Sequence, residues 1–404
     1  EWLRLLQNKG VDVLALEQKI TGWSVKRLVD KVKYSLTKQQ DDDFSHEVME
    51  AMQGCLACKA CASQCPIKVD VPDFRARFIN LYHSRYARPM KDHLVANVET
   101  LAPLMAKAPK LINSVLSSRV YESFSRKTIG YRDTPLLSSP TLTQLTDEAC
   151  YHEFDLAFFT HLPKDQREHY VFIVQDPFTS FYEAETVADF MALIQQLGLN
   201  PVLLPFKPNG KAQHVKGFLS KFAKTAKNTA AFLNQVAELN IPMVGLDASL
   251  VLCYRDEYKQ ILEDKRGDFT VLLSHEWLFD NKAKFEGQQL TLDANKTEFK
   301  LFAHCTEKTM LAKSEDQWCD IFQSFGLSLG KIPTGCCGMA GTYGHEVSNF
   351  DNSKALYEMS WQPQLDKYER SQILATGFSC RSQVKRFEKY KPMHPVTALL
   401  GLFK

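Results

Sequence analysis

The sequence lacks several features that would assign it quickly to a class of function. No apolar stretch reaches the roughly 20 residues that one helix needs to span a bilayer, and no signal peptide is recognisable. Lys and Arg (49) nearly balance Asp and Glu (47), so no excess of charge indicates binding to nucleic acid. There is no extended glycine-rich dinucleotide loop and no constellation for hydride transfer. We therefore assign no catalytic residue to this chain and expect a cytoplasmic location, with peripheral membrane contact left open.

Cysteine is scarce, with 11 residues in 404, but it is concentrated. Disulfide frameworks belong to small secreted chains, so clustering in a chain of this length favours a reducing compartment and metal ligation. Cys55, Cys58, Cys61 and Cys65 are spaced C-x2-C-x2-C-x3-C and precede Pro66. Runs of this spacing in bacterial ferredoxins hold a [4Fe–4S] cluster. Structural zinc sites use C-x2-C pairs with a longer loop between them, and a non-redox zinc module is the alternative.

The apolar pattern separates a helical first part from an alternating second part. Helix-like spacing predicts a helical tail over 1–50 and a helical iron–sulfur module over 51–130. Residues 131–150 contain Pro and Ser with little periodicity and predict a linker. Beyond them, strand-length apolar runs alternate with helical segments, which favours α/β layers with mostly parallel sheets. The predicted strands are 170–174, 201–205, 241–245, 269–273 and 299–303.

An internal repeat with an offset of about 130 residues runs through the second part. Residues 172–176 match 301–305, and residues 205–210 match 333–338. We predict duplicated α/β units of which only the second keeps its cysteines. The predicted units are 151–290 and 291–404, and the first has Asp176, Pro208 and Asn209 where the second has cysteines.

The second unit carries the other candidate ligands, Cys305, Cys336, Cys337 and Cys380. Adjacent cysteines rarely form a disulfide with each other without strain, so a metal or cluster is the better interpretation of the pair. His304 and His345 lie nearby in sequence, although a lone histidine is more often an ordinary packed or surface residue. We interpret the remaining thiols, Cys150, Cys253 and Cys319, as buried residues without a ligand role.

These residues resemble a known family. Segments 304–305, 335–344, 376–380 and 394–400 are similar to the cysteine-rich CCG domain. That domain occurs, normally duplicated, in a subunit of heterodisulfide reductase, in the glycolate oxidase iron–sulfur subunit and in a subunit of anaerobic glycerol-3-phosphate dehydrogenase. With a helical ferredoxin-like module before it, the whole chain resembles the C-terminal half of bacterial FAD-linked D-2-hydroxyglutarate dehydrogenases.

The resemblance implies an α plus α/β fold in which a helical [4Fe–4S] ferredoxin-like module precedes duplicated CCG units. It also implies FAD in a missing N-terminal part or in a partner subunit, and an electron acceptor that is a quinone or a soluble carrier. In this interpretation the chain is the electron-transfer part of a D-2-hydroxy acid dehydrogenase. Residue 1 is Glu, so we expect either a processed start or a fragment of a longer chain.

The sequence departs from the family pattern in three ways. It has one four-cysteine run where two are usual, its first CCG half has lost the cysteines, and the last C-x2-C is reduced to Cys380 with Gln383. The second site is therefore either a second metal centre or a set of buried thiols. A separate iron–sulfur subunit of a glycolate, lactate or glycerol-3-phosphate respiratory complex is the alternative function.

Two further stretches have both an ordinary and a functional interpretation. Residues 93–116 alternate apolar and basic side chains, which is typical of a packed amphipathic helix and, less often, of a helix on a membrane surface. Residues 191–237 contain no acid but several lysines, which indicates a solvated helix face or a dock for an acidic partner or an anionic membrane surface.

Overall fold

The computed structural model describes most of the chain. The described residues are 31, 45–67, 69–149, 151–284 and 298–403. The predicted tail over 1–50 therefore lies largely outside them, as does Cys150.

The chain divides into two compact units. The first unit comprises residues 1–98 and 210–224, and the second comprises residues 99–209 and 225–404.

Helices dominate the described residues. In chain order the α-helices are α1 Ser45–Gln53, α2 Ala60–Gln64, α3 Val71–Arg85, α4 Met90–Ala96, α5 Val98–Met105, α6 Pro109–Leu116, α7 Arg119–Phe124, α8 Leu142–Glu148, α9 Leu156–His161, α10 Lys164–Arg167, α11 Pro177–Tyr182, α12 Ala184–Gln196, α13 Lys211–Val215, α14 Leu219–Ala237, α15 Ala248–Arg255, α16 Glu257–Leu262, α17 Ser274–Asp280, α18 Cys305–Met310, α19 Ser314–Ser324, α20 Phe350–Ser360, α21 Gln362–Leu365, α22 Phe378–Glu388 and α23 Pro395–Leu400.

The strands of the described residues are short. They are β1 Tyr170–Ile173, β2 Asn200–Leu203, β3 Met243–Gly245, β4 Leu272–Leu273, β5 Glu298–Phe302, β6 Ser328–Lys331 and β7 Ile373–Ala375. The first five correspond to the predicted strands with shifted ends, whereas β6 and β7 were missed by the sequence analysis. Part of the segment predicted as a linker is helix α8, which begins with a capping box between Thr141 and Gln144.

In the first unit, Asp70 is the N-cap residue of helix α3. The Asp70 carboxylate accepts a hydrogen bond from the Asp73 amide at 3.0 Å, which satisfies one of the unpaired N–H groups at the helix start. Phe78 and Ile79 on α3 pack with Met49 of α1 in a small core. The buried Arg75 guanidinium donates to the Met52 carbonyl at 2.8 Å and so fixes the end of α1 beside α3.

The second unit contains two sheets in which every pairing is parallel. The strand orders are β2-β1-β3-β4 and β6-β5-β7, and Leu374 of β7 forms a further parallel bridge to Met393 where a fourth strand would lie. The matching order supports the predicted repeat. An α plus α/β fold with parallel sheets is confirmed.

This strand order determines where ligands can bind. In each sheet the chain crosses first to one side of the leading strand and then to the other, so the connections diverge at the carboxyl ends of β1 and β3, and of β5 and β7. Open parallel sheets bind ligands at such a switch point. The two switch points are therefore equivalent positions in the two halves.

Candidate metal centres

The first cysteine set lies on the loop after α1 and on α2. Ala57 and Lys59 have φ values of 52° and 60°, a left-handed conformation that costs a residue with a side chain about 1–2 kcal/mol. Cys61 lies within α2, and the Cys65 amide donates to the Cys61 carbonyl at 3.0 Å. Residues four apart on a helical turn share a face, so these two thiols project from the same side. None of the four cysteines is in a disulfide, and all four are partly exposed.

A buried cation lies within this loop. Lys59 is only 3% exposed, and its ammonium group lies 3.1 Å from the Asp70 carboxylate. Since Asp70 also caps α3, the ion pair ties the cysteine loop to that helix. A positive charge fixed between Cys58 and Cys61 in sequence would offset the negative charge of thiolates around a cluster.

The second cysteine set comes together at the switch point of the second sheet. Cys305 opens α18 directly after β5, and Cys380 lies in the first turn of α22, after β7. The loop after β6 supplies Cys336 and Cys337. The thiols make successive contacts from Cys305 to Cys336, to Cys337 and to Cys380.

Burial and mutual contact keep these thiols protonated. Contact with Cys336 and burial raise the pKa of Cys305 well above its usual value. Contact with Cys305 lowers the pKa of Cys336, but Cys337 and burial raise it to about 12 overall. Each of Cys337 and Cys380 receives a contact from a neighbouring thiol that lowers its pKa, but burial together with the other thiols nearby outweighs that contact and raises both pKa values. A bound metal ion would reverse this state, since thiols coordinate as thiolates and release their protons.

Two glycines allow the backbone to approach the thiols. Gly338 has φ +85° and donates its N–H to the Cys336 sulfur at 3.4 Å, and a Cβ there would lie 2.2 Å from the Ser353 carbonyl oxygen. A Cβ at Gly377 would lie 2.4 Å from the His304 ring and 3.1 Å from the Cys380 sulfur. No other residue fits either position without displacing the cysteine loops.

Buried polar groups that the sequence analysis missed hold the loops of the second cysteine set in place. The Thr376 hydroxyl accepts from the His304 amide at 2.9 Å and donates to the Glu307 carboxylate at 2.6 Å. Arg381 follows Cys380 and donates to the Glu183 carboxylate of the first half at 2.9 Å. Both members of this ion pair are nearly inaccessible. No periodicity or motif marks these residues, because each has its partner far away in sequence.

The first half fills its switch point with carboxyl and amide groups. Asp176 caps α11 after β1, and Asp247 caps α15 after β3. Burial and the nearby Asp247 raise the pKa of Asp176 to about 7. Asn209 is fully buried, and its side-chain amide donates to the Leu250 carbonyl at 3.1 Å. Its backbone N–H donates to Glu99 at 3.1 Å, and its carbonyl accepts from the Tyr258 hydroxyl at 2.7 Å.

The remaining candidates have structural contacts. His304 is the N-cap residue of α18, and its ring lies 3.4 Å from the Ser379 hydroxyl. The Arg386 guanidinium lies 2.8 Å from the His345 ring, and burial together with this charge lowers the pKa of His345 to about 4. Cys253 is buried, and the half-buried Cys319 donates to the Leu329 carbonyl at 3.3 Å.

The lysine run after residue 206 is partly engaged within the first unit. Lys216 is buried with its ammonium group 3.1 Å from Asp92, and Lys221 donates to the Asn97 side chain at 2.5 Å. These contacts fit a structural role for part of the run.

The described part of the chain contains neither a preformed metal cage nor a membrane span. No three His, Cys, Asp or Glu side chains there converge in the arrangement of metal ligands. The four thiols of the second set instead form a line of pairwise contacts. None of the described helices combines the length and apolarity needed to cross a bilayer.

Comparison with known proteins gives a consistent set of relatives. The chain is 55% identical over 405 residues to D-2-hydroxyglutarate dehydrogenase of Pantoea ananatis (strain AJ13355), covering 100% of this chain and 39% of the relative. It is 52% identical over 407 residues to the Escherichia coli (strain K12) protein of the same name, covering 100% and 40%. One subunit of the anaerobic glycerol-3-phosphate dehydrogenase of Escherichia coli (strain K12) is 23% identical over 231 residues, 55% of this chain and 56% of the relative.

The other comparisons add little. No protein-family model matches the chain. A solved structure of a hypothetical protein from Helicobacter pylori aligns with 98% of this chain and 77% of its own at a TM-score of 0.40 and 10% identity, and no argument rests on it. The chain thus spans about two fifths of the length of its nearer relatives. Those relatives are oxidoreductases by name, and this chain matches a part of them.

Proposed function

We propose that this chain is the iron–sulfur electron-transfer portion of a flavin-dependent D-2-hydroxyglutarate dehydrogenase and corresponds to its C-terminal part. The observation that carries the proposal is 55% identity across the whole chain to a protein of that name. The cysteine spacing and the loop that bears it supply the chemistry.

The first cysteine set fits a [4Fe–4S] cluster. Cys55, Cys58, Cys61 and Cys65 offer four soft thiolate donors on one tight loop, which is the donor set that such clusters take. Non-glycine residues in left-handed conformations persist where the surrounding structure enforces them, and they concentrate at functional sites. Ala57 and Lys59 are of this kind. A bound cluster supplies one-electron transfer; the chain's own residues would hold it and balance its charge through Lys59.

The second cysteine set fits a second metal centre. Four thiols meet at the switch point of a parallel sheet, and Gly338 and Gly377 provide the space around them. The Gly338 N–H already donates to the Cys336 sulfur, as backbone amides do around thiolate-bound clusters. The line of pairwise contacts would have to close around the metal on binding.

Substrate oxidation is assigned to a part that this chain does not span. About three fifths of each nearer relative has no counterpart here. We place FAD and the binding of the D-2-hydroxy acid in that part, on the same polypeptide or on a partner subunit. The electrons then leave through this chain to a quinone or a soluble carrier.

Metal and sulfide analysis tests the proposal. The chain, purified without oxygen, should contain about four iron and four sulfide per occupied [4Fe–4S] site and give an EPR signal on reduction. Cys58→Ser should remove the iron and sulfide of the first site, whereas the matched control Cys319→Ser should retain them. Bound zinc without inorganic sulfide would reject the proposal in favour of the non-redox module.

A separate iron–sulfur subunit is the second candidate, and the match to one subunit of anaerobic glycerol-3-phosphate dehydrogenase favours it. It has the same clusters but a different flavoprotein partner. The two candidates differ in the gene, because an in-frame flavoprotein upstream of residue 1 would reject the separate subunit.

A further inference from the structure

Three consecutive helices of the second unit turn apolar side chains towards solvent. Helix α5 exposes Leu101 and Leu104, α6 exposes Leu111 and Val115, and α7 exposes Val120 and Phe124. These six residues, which we name the apolar surface, are between 36% and 81% exposed. Within each helix the pair is three or four residues apart and so shares one face. Exposed apolar side chains that share a face on each of three consecutive helices are typical of an interaction site.

The apolar surface is not needed to hold these helices in place, because their other faces are already anchored. On α6, Asn113 donates to the Leu137 carbonyl and accepts from the Leu137 amide, both at 2.8 Å. On α5, Ala102 is fully buried. Ser118 caps α7, and Ser125 at its end donates to the Tyr131 carbonyl at 3.0 Å. Each helix therefore presents a second apolar face that the packing of the described residues does not explain.

Exposed basic side chains lie on, between and directly after the same three helices. Over residues 101–127 the exposed charged residues are Lys107, Lys110, Arg119, Glu122, Arg126 and Lys127, five cations and one anion. The chain as a whole carries a formal charge of only +2. This local excess of cations therefore favours a partner that is acidic around an apolar centre.

We propose that the flavoprotein portion of the dehydrogenase docks on this apolar surface. This docking rests on the function proposed above. Roughly three fifths of each nearer relative lies outside this chain and has to pack against it for electrons to pass. A bilayer is the other class of partner that apolar and basic residues suit. It is less favoured, because the six residues lie on three short helices and not on one continuous amphipathic helix.

Hydroxyl-radical footprinting tests this docking without any substitution. The probe is the longer polypeptide that includes the flavoprotein portion, or this chain with its flavoprotein partner if the two are encoded separately, and the reference is this chain alone. Oxidation of Leu111 and Phe124 should fall at least fivefold in the larger assembly. Met359 and Ile261, which are also exposed in the second unit, serve as matched controls and should not change.

Substitutions sharpen the result. Leu111→Asp with Val115→Asp should restore the labelling of Phe124 in the larger assembly, whereas the matched control Met359→Asp should leave it protected. Equal labelling of Phe124 with and without the flavoprotein portion would overturn the docking. Protection of Phe124 that appears only with vesicles of phosphatidylglycerol and phosphatidylcholine would overturn it too, in favour of a membrane.

Iron and sulfide content, measured in the same samples, separates the two proposals. Absence of both would reject the electron-transfer function. Normal iron and sulfide with an unprotected apolar surface would reject the docking alone.

Discussion

The second unit has two halves, which differ in the side chain that follows the first strand of each sheet. In the first half the carboxylate of Asp176 follows β1, whereas in the second half the thiol of Cys305 follows β5. The strand order around both positions is the same. Even the glycines that follow the second strand of each half match, with φ +84° at Gly210 and +85° at Gly338. The two halves thus share a strand order and the position of a left-handed glycine but differ in the side chains at the switch point.

The comparison shows how the two halves pair the buried polar groups at their switch points. The first half is closed by internal hydrogen bonds around Asn209, which contacts Leu250, Glu99 and Tyr258. The second half has four thiols whose main partners are one another. Buried polar groups must be paired, so the first half satisfies its own groups, whereas the second is where we propose an added ion.

The largest expected effect on stability comes from substitution of Gly338, the glycine after the second strand of the second half. Gly338→Ala should destabilise the chain by about 4 kcal/mol or more, because the Cβ would lie 2.2 Å from a backbone oxygen at a left-handed φ. Gly198→Ala, the matched control in the first half, should cost only about 1–2 kcal/mol for its left-handed φ of +78°, because a Cβ there would meet no atom within 4 Å. Urea denaturation of both variants measures the difference. Equal losses would show that the close contact expected at Gly338 does not destabilise that variant.

Much of this arrangement was accessible from the sequence. The offset of about 130 residues paired Asp176 with Cys305 and residue 210 with residue 338, and the parallel sheets followed from alternating strands and helices. The spacing of the first four cysteines was also visible, because it depends on neighbours within a few residues.

The rest depends on contacts between distant residues. Strand β6 reads Ser-Leu-Gly-Lys and so lacks an apolar run, and the apolar run of β7 is only three residues long. Glu99 reaches Asn209 from 110 positions away, and Arg381 reaches Glu183 from 198 away. Such pairs carry no periodic signal in the sequence. Only the folded chain reveals that hydrogen bonds close the switch point of the first half and that buried polar groups hold the cysteine loops of the second half.

The second prediction concerns the pH dependence of stability, which the first half should contribute through Asp176. Its pKa of about 7 in the folded chain exceeds the unfolded value of 3.8, so the folded state binds this proton more tightly. The free energy of unfolding should therefore fall as pH rises from about 4 to about 7, by on the order of 3 kcal/mol. Asp176→Asn keeps an oxygen to cap α11 and should remove this slope.

Chemical denaturation at several pH values between 4 and 8 measures the free energy of unfolding of the original chain and of Asp176→Asn. The difference between the two profiles isolates the contribution of Asp176. Glu307 in the second half also has a pKa raised by burial, so part of the slope should survive in the variant. Identical profiles for the two proteins would show that Asp176 does not hold a proton at neutral pH.

A smaller effect on stability is expected from the hydrogen-bonded group around Asn209. Asn209→Ala should cost about 1–3 kcal/mol, since it leaves the buried Leu250 carbonyl without its donor. Cys337→Ala, at the matching position, should cost the metal-free chain less, because a buried thiol acts mainly as a small apolar group. Thermal unfolding of the two variants tests this order. A greater loss for Cys337 in metal-free protein would mean that the second half depends on its thiols without any ion.

The smallest effect on stability should carry the most information about function. Cys253 and Cys380 are both buried thiols, one in each half, and each changed to Ala should cost the metal-free chain about 1 kcal/mol. They should differ once iron and sulfide are supplied without oxygen: Cys380→Ala should lower the iron and sulfide content of the second site, and Cys253→Ala should not. Cys55, Cys58, Cys61 and Cys65 are intact in both variants, so any difference arises in the second set. If both load equally, the four thiols there are a packed core, and the two halves differ in composition alone.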